Sequence, residues 1–168
     1  MSPLIPAEWE SIEAPVIRTE PPGPRSREIL GRIERHAYPG LAEGLAPFAL
    51  ASKRAWTVTD ADDNVYLDLA SASASVPLGA GRTELIAPAV EALRRFGNED
   101  SHALASELTA ELGERLLAIG PPSVSRFDLA LNGTEAIEIA VKMMRRATGR
   151  PVVIGFHGAY HGESTTTA

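Results

Sequence analysis

The sequence predicts an α/β protein in two parts: an N-terminal helix and a small antiparallel sheet, then the start of a mainly parallel α/β layer. Two observations carry that prediction. Residues 56–69 read as two alternating runs around a polar turn, and residues 126–156 read as strand, helix, strand. The first part covers residues 1–75, an N-terminal arm and small-domain segment, and the second, residues 76–168, begins a larger domain that the chain leaves incomplete. With 168 residues the chain is long enough for one ordinary domain with a real core, and short for two.

Each element follows from a local signal. Residues 1–25 carry Pro21, Pro22 and Pro24 and little periodicity, which predicts an extended arm, disordered or laid over a partner. Residues 26–37 read as a helix with Ser26 as candidate N-cap and Ile29, Leu30 and Ile33 on one face. From Phe48 to Leu69 the signal changes to strands: Trp56 and Val58 alternate with polar residues, Asp60-Ala61-Asp62-Asp63-Asn64 supplies turn chemistry, and Val65, Leu67 and Leu69 alternate after it. That pattern is an antiparallel hairpin. Residues 71–81, SASASVPLGAG, are small and loop-like, either a surface connection or a backbone bare enough to approach a ligand or another subunit.

Two helices follow. One starts near Thr83, carries Pro88 in its early turns, shows Ile86, Val90 and Leu93 on one face and ends at Gly97. The other has an apolar stripe of Leu104, Leu108, Leu112, Leu116 and Ile119, stopped by Pro121-Pro122. Both read as core-packing helices. Arg126–Leu131 is a strand with Phe127, Leu129 and Leu131 on one face. Asn132-Gly133-Thr134-Glu135 then opens a helical run that Gly149 and Pro151 end, and Val152–Phe156 is a second strand. Such a unit predicts parallel neighbours joined by a right-handed crossover.

Composition narrows the function. Sixteen Lys and Arg against twenty-two Asp and Glu give a net charge of −6, the wrong sign for a nucleic-acid backbone or an anionic membrane surface. The absence of cysteine excludes a disulfide framework, a zinc ribbon and a thiol nucleophile. The N-terminal residues lack the basic and apolar regions of a secretory signal, and no apolar run has the length of a membrane span, so a cytoplasmic soluble protein is expected.

Two places can carry chemistry. The Asn132-Gly133-Thr134 turn joins a strand end to a helix N-terminus, where free N–H groups and the helix dipole favour an anion, most naturally a phosphate. Gly133 removes a blocking side chain and the Thr134 hydroxyl can donate a further hydrogen bond. Plain capping by Asn132 or Thr134, with Glu135 complementing the dipole, explains the same residues. Neither the dinucleotide glycine pattern nor the P-loop lysine is there. The second place is Phe156-His157-Gly158-Ala159-Tyr160-His161-Gly162, after the second strand and expected to open onto the same crevice. Tyr160 can offer a ring face to a flat cofactor or simply pack under the loop. His157 and His161 lie four apart, but the glycines between and after them disfavour a helix and no third ligand is apparent, so no metal site is expected.

Together these stretches resemble the N-terminal part of a class III aminotransferase, the group of ornithine, acetylornithine and 4-aminobutyrate aminotransferases. The resemblance rests on TVTDADDNVYLDL, on LGERLLAIGPP, and above all on RFDLALNGTEAIEIAVKMMRRATGR followed by FHGAYHGES. It implies a fold-type I pyridoxal-phosphate enzyme that moves an amino group between an amine or amino acid and a keto acid, as a homodimer. It further implies that the cofactor phosphate sits on Gly133 and Thr134, that Tyr160 stacks on the pyridine ring, and that His161 shapes the pocket. Asn132 stands where the family usually has serine, Glu163 replaces a commonly basic residue, and segment 77–88 lacks the usual glycine–histidine and proline spacing. Lys53 and Lys142 are the only lysines, and neither matches the Schiff-base position, so no catalytic residue is expected within the chain. The expectation is the front portion of a longer enzyme, inactive and aggregation-prone by itself. The alternatives are a degenerate dimerising or regulatory remnant, or a related aminomutase or decarboxylase.

Overall fold

A computed structural model describes Trp9, residues 11–97 and residues 103–164. The chain divides into two compact units, Met1–Gly97 and Asn98–Ala168. Residues 1–8 and 10 of the expected arm lie outside the described residues.

The first unit begins with α1 (Pro24–Glu34) and the short α2 (Pro39–Glu43), followed by β1 (Leu50–Arg54), β2 (Thr57–Asp60) and β3 (Val65–Leu67). The strands form one antiparallel sheet in the order β1-β2-β3. β2 and β3 are the hairpin expected from the alternation, with Thr57 opposite Leu67 and Thr59 opposite Val65. β1 falls within the strand signal expected from Phe48 onward, with its side chains mostly exposed and its ladder supplied by β2.

The hairpin turn is held by a buried polar network. Asp60 and Asn64 are fully buried. Asp60 accepts hydrogen bonds from the Asp62 and Asn64 amides, the Asn64 side chain and the Tyr66 hydroxyl, all at 2.7–2.9 Å. Asn64 in turn accepts from the Arg18 and Thr19 amides at 2.7 and 2.9 Å. The described part of the arm therefore lies on this chain's own hairpin, and Val16 extends that contact by exchanging backbone bonds with Val65. Burying polar groups is tolerable here because each has a partner.

Asp62, at the tip of the turn, caps α1. Its two carboxylate oxygens accept the Arg25 and Ser26 amides at 2.8 Å each. This corrects the expectation that Ser26 is the N-cap: Gly23 holds that position without a side-chain bond, Pro24 starts the helix, and Ser26 lies inside it. A side chain at Gly23 would meet the Asp62 carboxylate at 2.2 Å. A cap donated across 36 residues leaves no mark in the local sequence.

After β3 comes one helical turn, α3 (Ser71–Ala74), wound left-handed, with φ of 46° to 63° at four successive non-glycine residues. Each such residue costs roughly 1–2 kcal/mol relative to the right-handed form. The unit ends with α4 (Thr83–Phe96), which carries Pro88 and is closed by Gly97 at φ 68°, as expected.

The second unit contains α5 (Glu107–Ile119) and α6 (Gly133–Thr148). Ser106 caps α5 by accepting the Thr109 amide at 3.2 Å, so Leu104 precedes the helix instead of opening its stripe. Phe127 packs into α5 at Gly113, where a Cβ would come within 2.1 Å of the ring. The two helical stripes expected to be core are half open: Leu108 and Leu116 are 50% and 42% exposed, and Leu93 of α4 is 64% exposed.

The largest difference from expectation concerns residues 126–131 and 152–156. Neither forms a strand, and among the described residues no backbone bond joins them, so they are not neighbouring strands of one sheet. A crossover helix fixes the sequence of elements but not strand adjacency, and open α/β sheets commonly leave room for other strands between the two. Leu131 and Ile154 are accordingly 93% and 90% exposed.

Candidate functional site

The site expected at Asn132–Thr134 lies within the second unit. Asn132 is the N-cap of α6 with extended backbone, and its side chain accepts the Glu135 amide at 3.0 Å. Glu135 reaches back and accepts the Leu131 amide at 2.7 Å. The two together form a reciprocal cap of the kind that fixes a helix start. The cap leaves the first-turn Gly133 and Thr134 amides without an intrahelical acceptor, and none of the described hydrogen bonds takes them. A Cβ on Gly133 would meet nothing within 4 Å, so the space on that side of the residue is open.

Beside this turn lies a shallow cleft of about 310 Å³ lined by Asp128, Leu129, Ala130, Asn132, Gly133, Ala136 and Ile139. The extended segment before α6 forms one wall and the first two turns of the helix form the other.

The second cluster meets the helix through Gly162. At φ 120° this residue passes so close to Thr134 that a Cβ would stand 2.8 Å from the hydroxyl oxygen and 2.9 Å from the Cα. Only glycine fits both the backbone angle and the gap. Beyond it, the Glu163 amide donates to the Thr134 hydroxyl at 3.3 Å, and the Ser164 hydroxyl donates to the Glu138 carboxylate. Accepting that bond leaves the Thr134 hydroxyl proton available to a ligand. The structure thus brings Thr134 and Gly162 together, as the expected shared crevice requires.

It does not bring Tyr160 into the cleft. That ring is 77% exposed, and its hydroxyl reaches the Glu163 carboxylate at 3.5 Å. His157 and His161 are exposed as well, and the described residues hold no cluster of three or more His, Cys, Asp or Glu suited to a metal ion. Of the lysines, Lys53 is ion-paired with Asp68 at 2.5 Å in the first unit, and Lys142 is exposed on α6. The contacts of Glu163 and Ser164 escaped the sequence reading. Their only signal was the glycine before them, a residue that marks close approach without saying to what.

The turn offers an anion two amides that no described hydrogen bond takes, a hydroxyl proton and the positive end of a helix dipole. A family model described as aminotransferase class-III matches residues 42–168. The chain belongs to the class-III aminotransferases. The matched region holds the hairpin, the left-handed turn, both stripes and the whole α6 site.

Among relatives of this aminotransferase chain, the alanine/serine racemase of Pyrococcus horikoshii is 30% identical over 155 residues, covering 91% of the chain and 32% of that protein. The 5-aminovalerate aminotransferase DavT of Pseudomonas aeruginosa is 32% identical over 144 residues, covering 85% of the chain and 34% of that protein. An omega-transaminase structure from Sphaerobacter thermophilus superposes with a TM-score of 0.74 at 25% identity, over 85% of this chain and 33% of that one. The chain therefore spans about a third of the length of the relatives it matches. Its fold is that part of a fold-type I transferase, helices with a small antiparallel sheet, and no helix among the described residues is long and apolar enough to cross a membrane.

Proposed function

We propose that the chain is the N-terminal portion of a pyridoxal-phosphate-dependent aminotransferase moving an amino group between an amine or amino acid and a keto acid. The observation that carries this is the α6 turn, where none of the described hydrogen bonds takes the Gly133 and Thr134 amides and Thr134 keeps a donor. In this reading those three groups bind the cofactor phosphate, Tyr160 moves onto the pyridine ring, and His161 shapes the pocket edge. The cofactor, when bound, supplies the electron sink for chemistry at the amino carbon. Residues of this chain bind and orient it, and the lysine that would hold it covalently is not among them. The division near residue 75 separates the small-domain segment from the cofactor-binding part, and the working form is a cytoplasmic homodimer. A second reading within the same cofactor chemistry, an enzyme such as an aminomutase that keeps the amino group on its substrate, is favoured by one observation. The racemase resembles the chain about as well as the aminotransferase does.

The test uses the purified chain with pyridoxal phosphate. Saturable binding that inorganic phosphate competes away and Thr134→Val weakens is expected, with no stoichiometric lysine label after borohydride reduction. Specific labelling of Lys53 or Lys142, with turnover of an amino donor, would make this a minimal enzyme. Binding indifferent to phosphate would remove the cradle from the reading.

A further inference from the structure

The left-handed turn α3 borders a cavity of about 400 Å³ in the first unit, apart from the α6 site. Trp9 and Trp56 form one wall, edge to face with ring centres 5.9 Å apart, and Ser71 with Val76–Ala80 forms another. Nothing in the composition of SASA demands a left-handed winding. No residue there is the glycine or asparagine that adopts it readily, so the winding is imposed from outside the turn.

The restraints are visible at both ends. Asp68 accepts the Ser71 amide on one oxygen at 2.8 Å and pairs with Lys53 through the other at 2.5 Å. Its own amide is fixed to the Trp56 carbonyl at 2.8 Å. Inside the loop, the Ser71 hydroxyl donates to the Val76 carbonyl at 2.7 Å. At the far end, Ala55 and Ala80 exchange two backbone bonds of 2.8 Å, and Gly79, at φ 84°, leaves no room for a Cβ against Trp9. The stretch from Ser71 to Gly79 is therefore strained at Ser71–Ala74 and clamped at both ends, and Ser71 with Val76–Gly79 lines the cavity.

We infer that Asp68 is the latch of a two-state cavity wall: it holds Ser71–Ala74 left-handed and the cavity open, and its release lets the turn rewind and the wall collapse. A change of hand at four residues between fixed ends must displace Val76–Leu78, the apolar residues that line the cavity along with the tryptophans. A group that fills the cavity favours the strained state by mass action, so occupancy and backbone hand are coupled. This rests on the first unit alone and stands whether or not the cofactor reading does.

The test exploits the fact that the chain's two tryptophans both line this cavity, so intrinsic fluorescence reports on it alone. Ala72→Gly and Ser73→Gly should each raise the melting temperature by roughly 2–6 °C, because glycine lifts the left-handed penalty. In a right-handed or irregular turn the same changes lower it, and that sign would overturn the proposal. Asp68→Ala should lower acrylamide quenching of the tryptophans about twofold as the wall closes over them, an increase would overturn the proposal, and Asp68→Asn, which keeps an acceptor for Ser71, should have a smaller effect. In a background carrying both glycines the Asp68→Ala effect should shrink, since less strain is left to hold. An undiminished effect there would show Asp68 to be an ordinary structural residue, and should Asp68→Ala not fold, Asp68→Asn in the two backgrounds decides.

Discussion

The hairpin of the first unit and the strand segments of the second carry similar apolar alternation yet reach opposite outcomes. Val58 and Val65 sit in a paired ladder around a turn whose buried carboxylate has four hydrogen-bond donors. Leu129 and Leu131, or Val152 and Ile154, have no ladder partner among the described residues. The difference is one of locality. Antiparallel strands joined by a short turn bring their own partner, whereas a strand feeding a crossover helix depends on chain far away in sequence. Alternation announces the tendency to extend, and only a partner completes the strand.

That contrast can be pushed hardest at Asp60. Asp60→Ala strands two amides, the Asn64 side chain and the Tyr66 hydroxyl in a buried site, and should cost the first unit about 3–4 kcal/mol in urea unfolding. A loss below about 1 kcal/mol would mean the network is incidental and the turn sequence alone makes the hairpin. In the second unit the most sensitive point is Gly162. Gly162→Ala combines an unfavourable φ with a clash at Thr134, and a loss of about 2 kcal/mol is expected. The measurement is hydrogen exchange, where the Glu163 amide should lose its protection while α6 keeps its own.

Acid sharpens the comparison in a graded way. Burial pushes the Asp60 carboxyl up, but hydrogen bonds from Asn64, Tyr66 and the turn amides outweigh it and leave it below its ordinary value of 3.8. The Lys53 ammonium chiefly holds Asp68 low as well. Tyr66, half-buried and donating its hydroxyl to Asp60, is pushed up to about 12 by partial burial and that carboxylate. A lowered folded-state pKa adds stability that is fully present above the unfolded value and is lost as pH falls through the folded one. The first unit should therefore keep its stability at neutral pH and lose it below about pH 3.8, with the sheet signal falling before the helical signal of the second unit. Loss of the sheet signal already at pH 5–6 would contradict the assignment. The smallest effect belongs to the reciprocal cap: Asn132→Ala should cost about 1 kcal/mol of α6 stability, read as helix fraying by circular dichroism.

Much of the molecule was legible in the residues themselves. The Asp60–Asn64 turn, the stops at Gly97 and Gly149 and the start of α6 follow from short-range chemistry, since a turn or a cap is settled within a few residues. So were the candidate cradle residues Gly133 and Thr134, because a strand–helix junction with a small residue is the same local object wherever it occurs. What the sequence left open is long-range. It did not show that Asp62 caps α1, that Gly162 rests on Thr134, or that Ser71–Ala74 winds left-handed. Nor did it show that residues 126–131 and 152–156 stay unpaired. Each of these depends on a partner tens of residues away, or on strain imposed from both ends of a loop. A one-dimensional pattern records what a residue favours, and the tertiary structure decides which neighbours are there to satisfy or override it.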